Sequence, residues 1–81
     1  MNTPEAGQVS KPPKFNRIKA VLAEKGVSNK KLAEMIGVSE GTVSTWTRNY
    51  KQPRVENLFE IAKVLKVEPA VLLNTLSASG F

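Results

Sequence analysis

The 81-residue sequence predicts one small all-α domain of five short helices, and three observations support this prediction. Apolar residues recur at the three- and four-residue spacing of a helix face in several successive stretches. Serine, glycine or proline stands between these stretches, at positions where helices tend to begin and end. No stretch has the strict alternation of polar and apolar residues that is typical of a strand.

The most informative segment covers residues 29–48, which we interpret as two short helices joined by a tight turn. The second predicted helix, about residues 29–36, follows Ser28 as its N-cap. Its apolar stripe consists of Leu32, Ala33 and Ile36. Gly37 is predicted to end this helix, because glycine tolerates the left-handed backbone of a tight exit.

The third predicted helix, about residues 40–48, begins after Ser39, which is a favourable N-cap residue. Val43 and Trp46 lie three residues apart, so one face of this helix is expected to enter the core. The opposite face is mostly small and polar. Such a face, braced by a second helix, suits the major groove of duplex DNA.

Three further helices are predicted around this pair. The first spans about residues 15–25 and stops at Gly26, and Asn49 is the predicted left-handed stop of the third. The fourth spans about residues 55–65. The fifth begins at Pro69, because the N–H that proline lacks would be unpaired in a first turn. The apolar stripes of the first and fourth helices are Phe15, Ile18, Val21 and Leu22, and Leu58, Ile61, Ala62 and Leu65.

The two ends of the chain are predicted to lie outside the folded domain, which we place at residues 14–76. Residues 1–13 hold three of the five prolines and few apolar side chains, a composition typical of a disordered arm. Lys11 to Lys14 make the end of this arm basic, so the arm lies along a phosphate strand, reaches the minor groove or is simply mobile. Residues 77–81 are predicted to be a frayed tail.

Composition narrows the possible functions. Cysteine, histidine and aspartate are all absent, which excludes disulfides, ordinary zinc sites and Ser-His-Asp catalysis. We therefore expect a non-enzymatic protein without a metal or a cofactor. No apolar run approaches the roughly 20 residues of a membrane span. The N-terminus also lacks the pattern of a secretion signal, so a cytoplasmic location is expected.

The positive charge is concentrated in one part of the sequence. Residues 11–54 carry ten Lys and Arg against three Glu, a net charge of +7. Residues 55–81 carry two Lys against three Glu, a net charge of −1. The basic part contains the predicted helix pair, as phosphate binding would require. The alternative is a lysine-rich face that is merely solvated.

The helix pair resembles the helix-turn-helix of the phage-repressor (Xre/Cro-type) family of DNA-binding proteins. The segments RIKAVLAEKGVS and QPRVENLFEIAKVLKVEPAVLL resemble the first, fourth and fifth helices of that family, so about residues 15–74 are covered. The resemblance implies a compact lambda-repressor-like domain and a sequence-specific transcriptional regulator, with repression the expected outcome. It also implies a homodimer, associated with the nucleoid when bound to DNA. The residues that carry the resemblance within the pair are Leu32, Ala33, Ile36, Gly37, Val38, Val43 and Trp46.

In the family that the sequence resembles, residues at the start of the third helix contact DNA bases, and the same positions are expected to do so here. Glu40 either accepts a bond from cytosine N4 or only offsets the positive end of the helix dipole. Gly41 has no side chain with which to read a base directly, and its alternative role is packing at the helix start or close backbone approach. The predicted base-reading residues are Glu40, Gly41, Ser44 and Thr45. The predicted phosphate-binding residues are Asn29, Lys30, Lys31, Thr42, Arg48, Tyr50, Lys51 and Arg54.

Two questions stay open in the sequence. The candidate homodimer interface is Leu72, Leu73, Leu76 and Phe81, because a small core has little room for all of them; alternatively, Leu72 or Leu73 closes the core. The second question is whether the scaffold reads DNA at all. An antitoxin-like or antagonist-like protein-interaction module on the same fold is the alternative hypothesis, favoured by Glu40 and Gly41 and opposed by the basic cluster.

Overall fold

A computed structural model of the protein describes residues 14–74, which form four α-helices followed by one short 3-10 turn. The helices are α1 Ile18–Lys25, α2 Asn29–Ile36, α3 Glu40–Thr47 and α4 Val55–Leu65, and the 3-10 turn is Pro69–Leu72. The predicted all-α class is therefore confirmed, with the fifth helix reduced to a single turn. Within residues 14–74, the one β-type pairing is an isolated antiparallel bridge between Asn16 and Leu73.

Side-chain caps and left-handed residues set the helix boundaries. The hydroxyls of Ser28 and Ser39 each accept a hydrogen bond at 3.0 Å from the backbone N–H three residues later. Gly37 has φ of 77°, which lets the chain turn sharply between α2 and α3. Asn49 ends α3 with φ of 61°. These boundary predictions are confirmed.

One face of every helix contributes to a single core. Trp46 is only 5% exposed, so this side chain is a core residue and not a platform for stacking on bases, as its register with Val43 predicts. Ile36, Val38 and Leu58 pack against the edge of this core. The buried apolar residues are Ile18, Val21, Leu22, Leu32, Ala33, Val43, Trp46, Ile61, Ala62, Leu65 and Leu72.

The predicted start of the first helix was wrong. Helix α1 begins at Ile18, and Phe15 is 47% exposed and does not join the core. The preceding chain is paired instead with the end of the domain: the Arg17 N–H donates to the Leu72 carbonyl at 2.9 Å. Similarly, the Asn74 N–H donates to the Phe15 carbonyl at 3.0 Å. These long-range bonds hold the backbone before α1 against the end of the domain.

The prediction that Leu72 belongs to a homodimer interface was also wrong. Leu72 is fully buried, because the 3-10 turn and the terminal bridge direct it into the core. Leu73 is 45% exposed, and its place in a homodimer interface stays a prediction. Leu76 and Phe81, together with the predicted arm and tail, lie outside the described residues.

Candidate nucleic-acid interface

Helix α3 presents a face of small side chains away from the core. Glu40 and Gly41 are exposed, and Thr42, Ser44 and Thr45 are half-buried. The predicted base-reading positions therefore lie together on one side of one helix. No bulky side chain on this side would hold the helix backbone away from a groove.

The threonine hydroxyls of this face are already ordered by bonds within the helix and its cap. Thr42 Oγ1 lies 2.8 Å from Ser39 Oγ. Thr45 Oγ1 donates to the Thr42 carbonyl at 2.7 Å. Because its proton is engaged, Thr45 can offer a base its oxygen lone pairs and its methyl group. It is thus suited to an amino group or a thymine methyl.

Gly41 has no structural explanation within the described residues. Its backbone does not require glycine, and an added Cβ would meet only Ser39 Oγ, at an ordinary 3.9 Å. Glycine nevertheless disfavours a helix by about 0.5–1 kcal/mol relative to alanine. The packing alternative for Gly41 is therefore wrong. What the position offers is unobstructed access to the backbone of the first turn of α3.

An open cleft of about 520 Å³ separates the exposed face of α3 from the start of α4. Lys51 and Arg54 supply cationic groups to this cleft, and no acidic side chain lines it. Arg54 also precedes the first turn of α4, where backbone N–H groups lack intrahelical partners. The remaining lining residues are Ser39, Gly41, Thr42, Thr45, Trp46, Gln52 and Asn57. The cleft is open, and its charged lining residues are both cationic, which suits an anionic ligand such as a phosphate.

The start of α2 forms a second basic segment. Lys30 and Lys31 are exposed, and Asn29 is half-buried beside them. Ser28 occupies the Lys31 N–H as the cap, while other first-turn N–H groups have no partner inside the helix. Helix α2 packs directly on α3.

Arg48 and Tyr50, two of the predicted phosphate-binding residues, form one unit. The Arg48 guanidinium carbon lies 5.1 Å from the centroid of the Tyr50 ring, a cation–π geometry. Both side chains are exposed, and Tyr50 is 58% exposed. The ring therefore restricts the position of the guanidinium and leaves the guanidinium exposed to solvent.

A buried cluster of amide side chains holds the C-terminal end of α3, and sequence reasoning missed it. Asn16 and Asn49 are 2% and 7% exposed. The Asn16 N–H donates to Asn49 Oδ1 at 2.9 Å, and Asn49 Nδ2 donates to the Asn16 carbonyl at 3.1 Å. Asn16 Nδ2 donates further to the Trp46 carbonyl at 3.0 Å and to Gln52 Oε1 at 2.7 Å.

The same amide cluster binds both flanks of the domain. Asn16 Oδ1 accepts from the Ile18 N–H at 2.9 Å, which orders the entry to α1. Asn74 Nδ2 donates to the Lys14 carbonyl at 2.7 Å and to the Asn16 carbonyl at 3.2 Å. The only signal in the sequence is that asparagines flank the predicted helices. Nothing in the sequence pairs Asn16 with a residue 33 positions away.

Neither a metal centre nor a membrane span is found in the described part of the chain. Residues 14–74 contain no group of three or more acidic, histidine or cysteine side chains placed to hold a metal ion. None of the helices in this range is long and apolar enough to cross a bilayer.

The fold and the exposed α3 face together define a small helix-turn-helix domain. The profile of the helix-turn-helix family matches residues 18–72. The chain belongs to this family, in its phage-repressor-like (Xre/Cro-type) group.

One curated relative is repressor protein C2 of Salmonella phage P22. The two sequences are 35% identical over 57 residues, which make up 70% of this chain and 26% of the repressor. The chain therefore spans about a quarter of the length of that relative.

Two solved structures resemble the domain. One is a proposed DNA-binding protein from Bacteroides fragilis, with a TM-score of 0.73 and 48% identity over 74% of this chain and 97% of that chain. The other is the P22 c2 repressor in complex with synthetic operator 9T in the presence of Tl+. Its TM-score is 0.65 and its identity 34%, over 72% of this chain and 88% of the repressor chain.

Proposed function

We propose that this chain is a sequence-specific DNA-binding domain of a transcriptional regulator, most simply a repressor, which inserts α3 in the major groove. The observation that carries the proposal is the open, small-residue face of α3 between basic segments. Its support is the fold of a repressor that was crystallised on operator DNA at 34% identity. A regulator of this kind has no catalytic role and acts where the DNA is, in the cytoplasm.

Phosphate contacts supply most of the affinity in this proposal. Asn29, Lys30 and Lys31 bind the phosphates of one part of the DNA backbone, together with the free N–H groups at the start of α2. The segment after α3 provides a second basic region, in which Lys51 and Arg54 line the cleft. Four to six phosphate contacts correspond to a slope of log affinity against log salt of about −4 to −5.

Base reading is limited in this proposal to a few contacts at the start of α3. Within residues 14–74 the one salt bridge joins Arg17 and Glu24, so Glu40 has no ion-pair partner to keep it from a cytosine amino group. Thr45 accepts a bond or packs its methyl on thymine. Gly41 lets the backbone of α3 come close to the groove. With so few contacts, DNA shape and bridging waters contribute to specificity.

Selection from random duplexes, at about 150 mM salt, tests the proposal. The expected result is one enriched inverted repeat, bound at least about a thousandfold tighter than a scrambled duplex. An inverted repeat is expected because the proposed regulator is a homodimer. No enrichment, with only weak salt-sensitive binding, would contradict the proposal and favour the protein-interaction module.

Alanine substitution of Lys30 and Lys31 tests the phosphate contacts separately. The double variant is expected to weaken binding to all duplexes alike and to flatten the salt slope by about one unit per lost contact. Lys25→Ala, at the end of α1, is the matched control and is expected to leave the slope unchanged. An unaltered slope in the double variant would remove the α2 start from the interface.

A further inference from the structure

One arginine continues the exposed side of α3 beyond the end of the helix. Arg48 is the C-terminal cap residue, with helical backbone angles of φ −91° and ψ 0°. Its N–H donates to the Ser44 carbonyl at 3.1 Å, so the residue keeps the helical register. Residues 44, 45 and 48 follow residue 41 by three, four and seven positions, which places all four on one side of a helix. The exposed Arg48 side chain therefore shares that side with the predicted base-reading residues Gly41, Ser44 and Thr45.

This location separates Arg48 from the other cations near the end of α3. Lys51 and Arg54 line the cleft between α3 and the start of α4, whereas Arg48 is not among the residues that line it. Arg48 is also the one cationic residue in the segment 40–48, and its neighbours on the exposed side are short. A long donor among short neighbours can reach base edges in a groove that the helix enters closely.

The aromatic ring of Tyr50 gives the Arg48 guanidinium a preferred position. The guanidinium carbon lies over the ring, 5.1 Å from the ring centroid. In such a cation–π contact the N–H groups at the edge of the planar guanidinium stay available for hydrogen bonds. The one salt bridge within residues 14–74 joins Arg17 and Glu24, so no carboxylate in this range competes for those N–H groups.

The buried amide cluster fixes the backbone between the arginine and the ring. Asn49 is 7% exposed and exchanges two hydrogen bonds with Asn16. The Tyr50 N–H donates to the Thr45 carbonyl at 3.0 Å, which holds the Tyr50 backbone against the last turn of α3. The guanidinium of Arg48 is thus positioned before a ligand arrives, and less conformational entropy is lost when it binds.

We propose, on the basis of the DNA-binding function above, that Arg48 reads a guanine in the major groove and that Tyr50 is its positioning residue. Guanine presents two neighbouring acceptors there, O6 and N7, which match two N–H groups of one guanidinium. Adenine presents an amino donor in place of O6, so the same pair of bonds cannot form. This assignment replaces the phosphate contacts that the sequence predicted for Arg48 and Tyr50.

Base-by-base competition tests the role of Arg48. The duplex selected by the original chain is changed one base pair at a time and titrated with the original chain and with Arg48→Ala. The original chain should prefer guanine at one position by about tenfold, and Arg48→Ala should lose that preference. Lys51→Ala, which removes a cation of the cleft, is the matched control and should keep it. A loss of affinity in Arg48→Ala that is equal for all bases would show a phosphate contact and overturn the proposal.

Removal of a single acceptor from the DNA tests the same contact from the other side. The base 7-deazaguanine lacks the N7 acceptor but still pairs with cytosine. At the preferred position it should weaken binding of the original chain by about fivefold and leave binding of Arg48→Ala unchanged. If the original chain bound every 7-deazaguanine duplex as tightly as the unmodified one, the proposal would be overturned.

Two variants of Tyr50 test its positioning role. Tyr50→Phe keeps the ring and should keep the guanine preference, whereas Tyr50→Ala should reduce that preference by about two- to fivefold. When Arg48 is already alanine, Tyr50→Ala should cause no further loss of affinity for the selected duplex. An equal loss with and without Arg48 would show that Tyr50 contacts DNA by itself and would overturn its positioning role.

These titrations distinguish the guanine contact from the proposed function. If the original chain selects no duplex, the proposed function is wrong and the guanine contact with it. If the chain selects a duplex and all of its base preferences survive in Arg48→Ala, only the guanine contact is overturned.

Discussion

The two ends of α3 are built in opposite ways. At the N-terminal end, Glu40 and Gly41 are exposed, and the hydroxyls bond only to the cap and the helix itself. At the C-terminal end, buried Asn16 and Asn49 connect the helix to both flanks of the domain. The helix is thus anchored at one end and open at the other. Such an arrangement lets the exposed face of α3 be small and accessible while the buried amide cluster sets the direction of the helix.

The difference between the two ends is also energetic. Removing a buried hydrogen-bond partner leaves groups that have lost both water and their bond, at about 1–3 kcal/mol each. Removing an exposed hydroxyl or charge usually changes stability by less than about 0.5 kcal/mol. We therefore expect substitutions of the buried asparagines at the C-terminal end to change folding, and substitutions at the N-terminal end to change binding.

Asn16→Ala should have the largest effect on stability. It leaves the Trp46 carbonyl and Gln52 without their donor and removes the acceptor of the Ile18 N–H. We expect the free energy of unfolding to fall by about 1–3 kcal/mol, measured by urea denaturation. Asn57→Ala, which removes only a long exposed bond of 3.4 Å, is the control. Equal stability of the two variants would mean that the cluster does not anchor α3.

Asn49→Gly separates the conformational role of Asn49 from its hydrogen bonds. Glycine relieves the left-handed backbone at φ of 61° but deletes the two bonds to Asn16. We expect a net loss of about 1 kcal/mol in the free energy of unfolding, since the lost bonds are buried. A variant as stable as the original chain, or more stable, would show that Asn49 contributes only the left-handed backbone at the end of α3.

Thr45→Ala should act at the open end and alter binding preference. Because the Thr45 proton is engaged with the Thr42 carbonyl, one acceptor bond or one methyl contact is lost. We expect discrimination at one base pair to fall by about 1 kcal/mol, with unchanged thermal unfolding. The measurement is a competition titration over all four bases at each position of the selected site. An equal loss of affinity for all sequences would show that Thr45 contacts a phosphate or has a structural role.

Gly41→Ala should change stability in the direction opposite to that of the asparagine variants. The added Cβ meets open space and improves helix propensity, so the free energy of unfolding should rise by up to about 0.5–1 kcal/mol. DNA affinity should fall, because the same Cβ occupies the space through which the groove approaches. Increased stability with undiminished affinity would argue against close approach at Gly41.

Local signals predicted most of the backbone of this domain. Ser28, Gly37 and Ser39 act on neighbours within three or four residues, so their roles follow from the order of residues alone. The α4 bounds and the burial of Trp46 were predictable for the same reason, because helical periodicity is a local property. The exposed face of α3 then followed from which of its residues entered the core.

Only tertiary structure decided the two flanks and the amide cluster. Phe15 has the spacing of a core residue, yet the pairing of its carbonyl with Asn74 keeps it out of α1. Leu72 looks available for a partner until the 3-10 turn buries it. Both outcomes depend on contacts between residues more than fifty positions apart. The sequence by itself therefore determined the existence of the four α-helices and which face of α3 is exposed. Packing between distant segments determined what anchors that face.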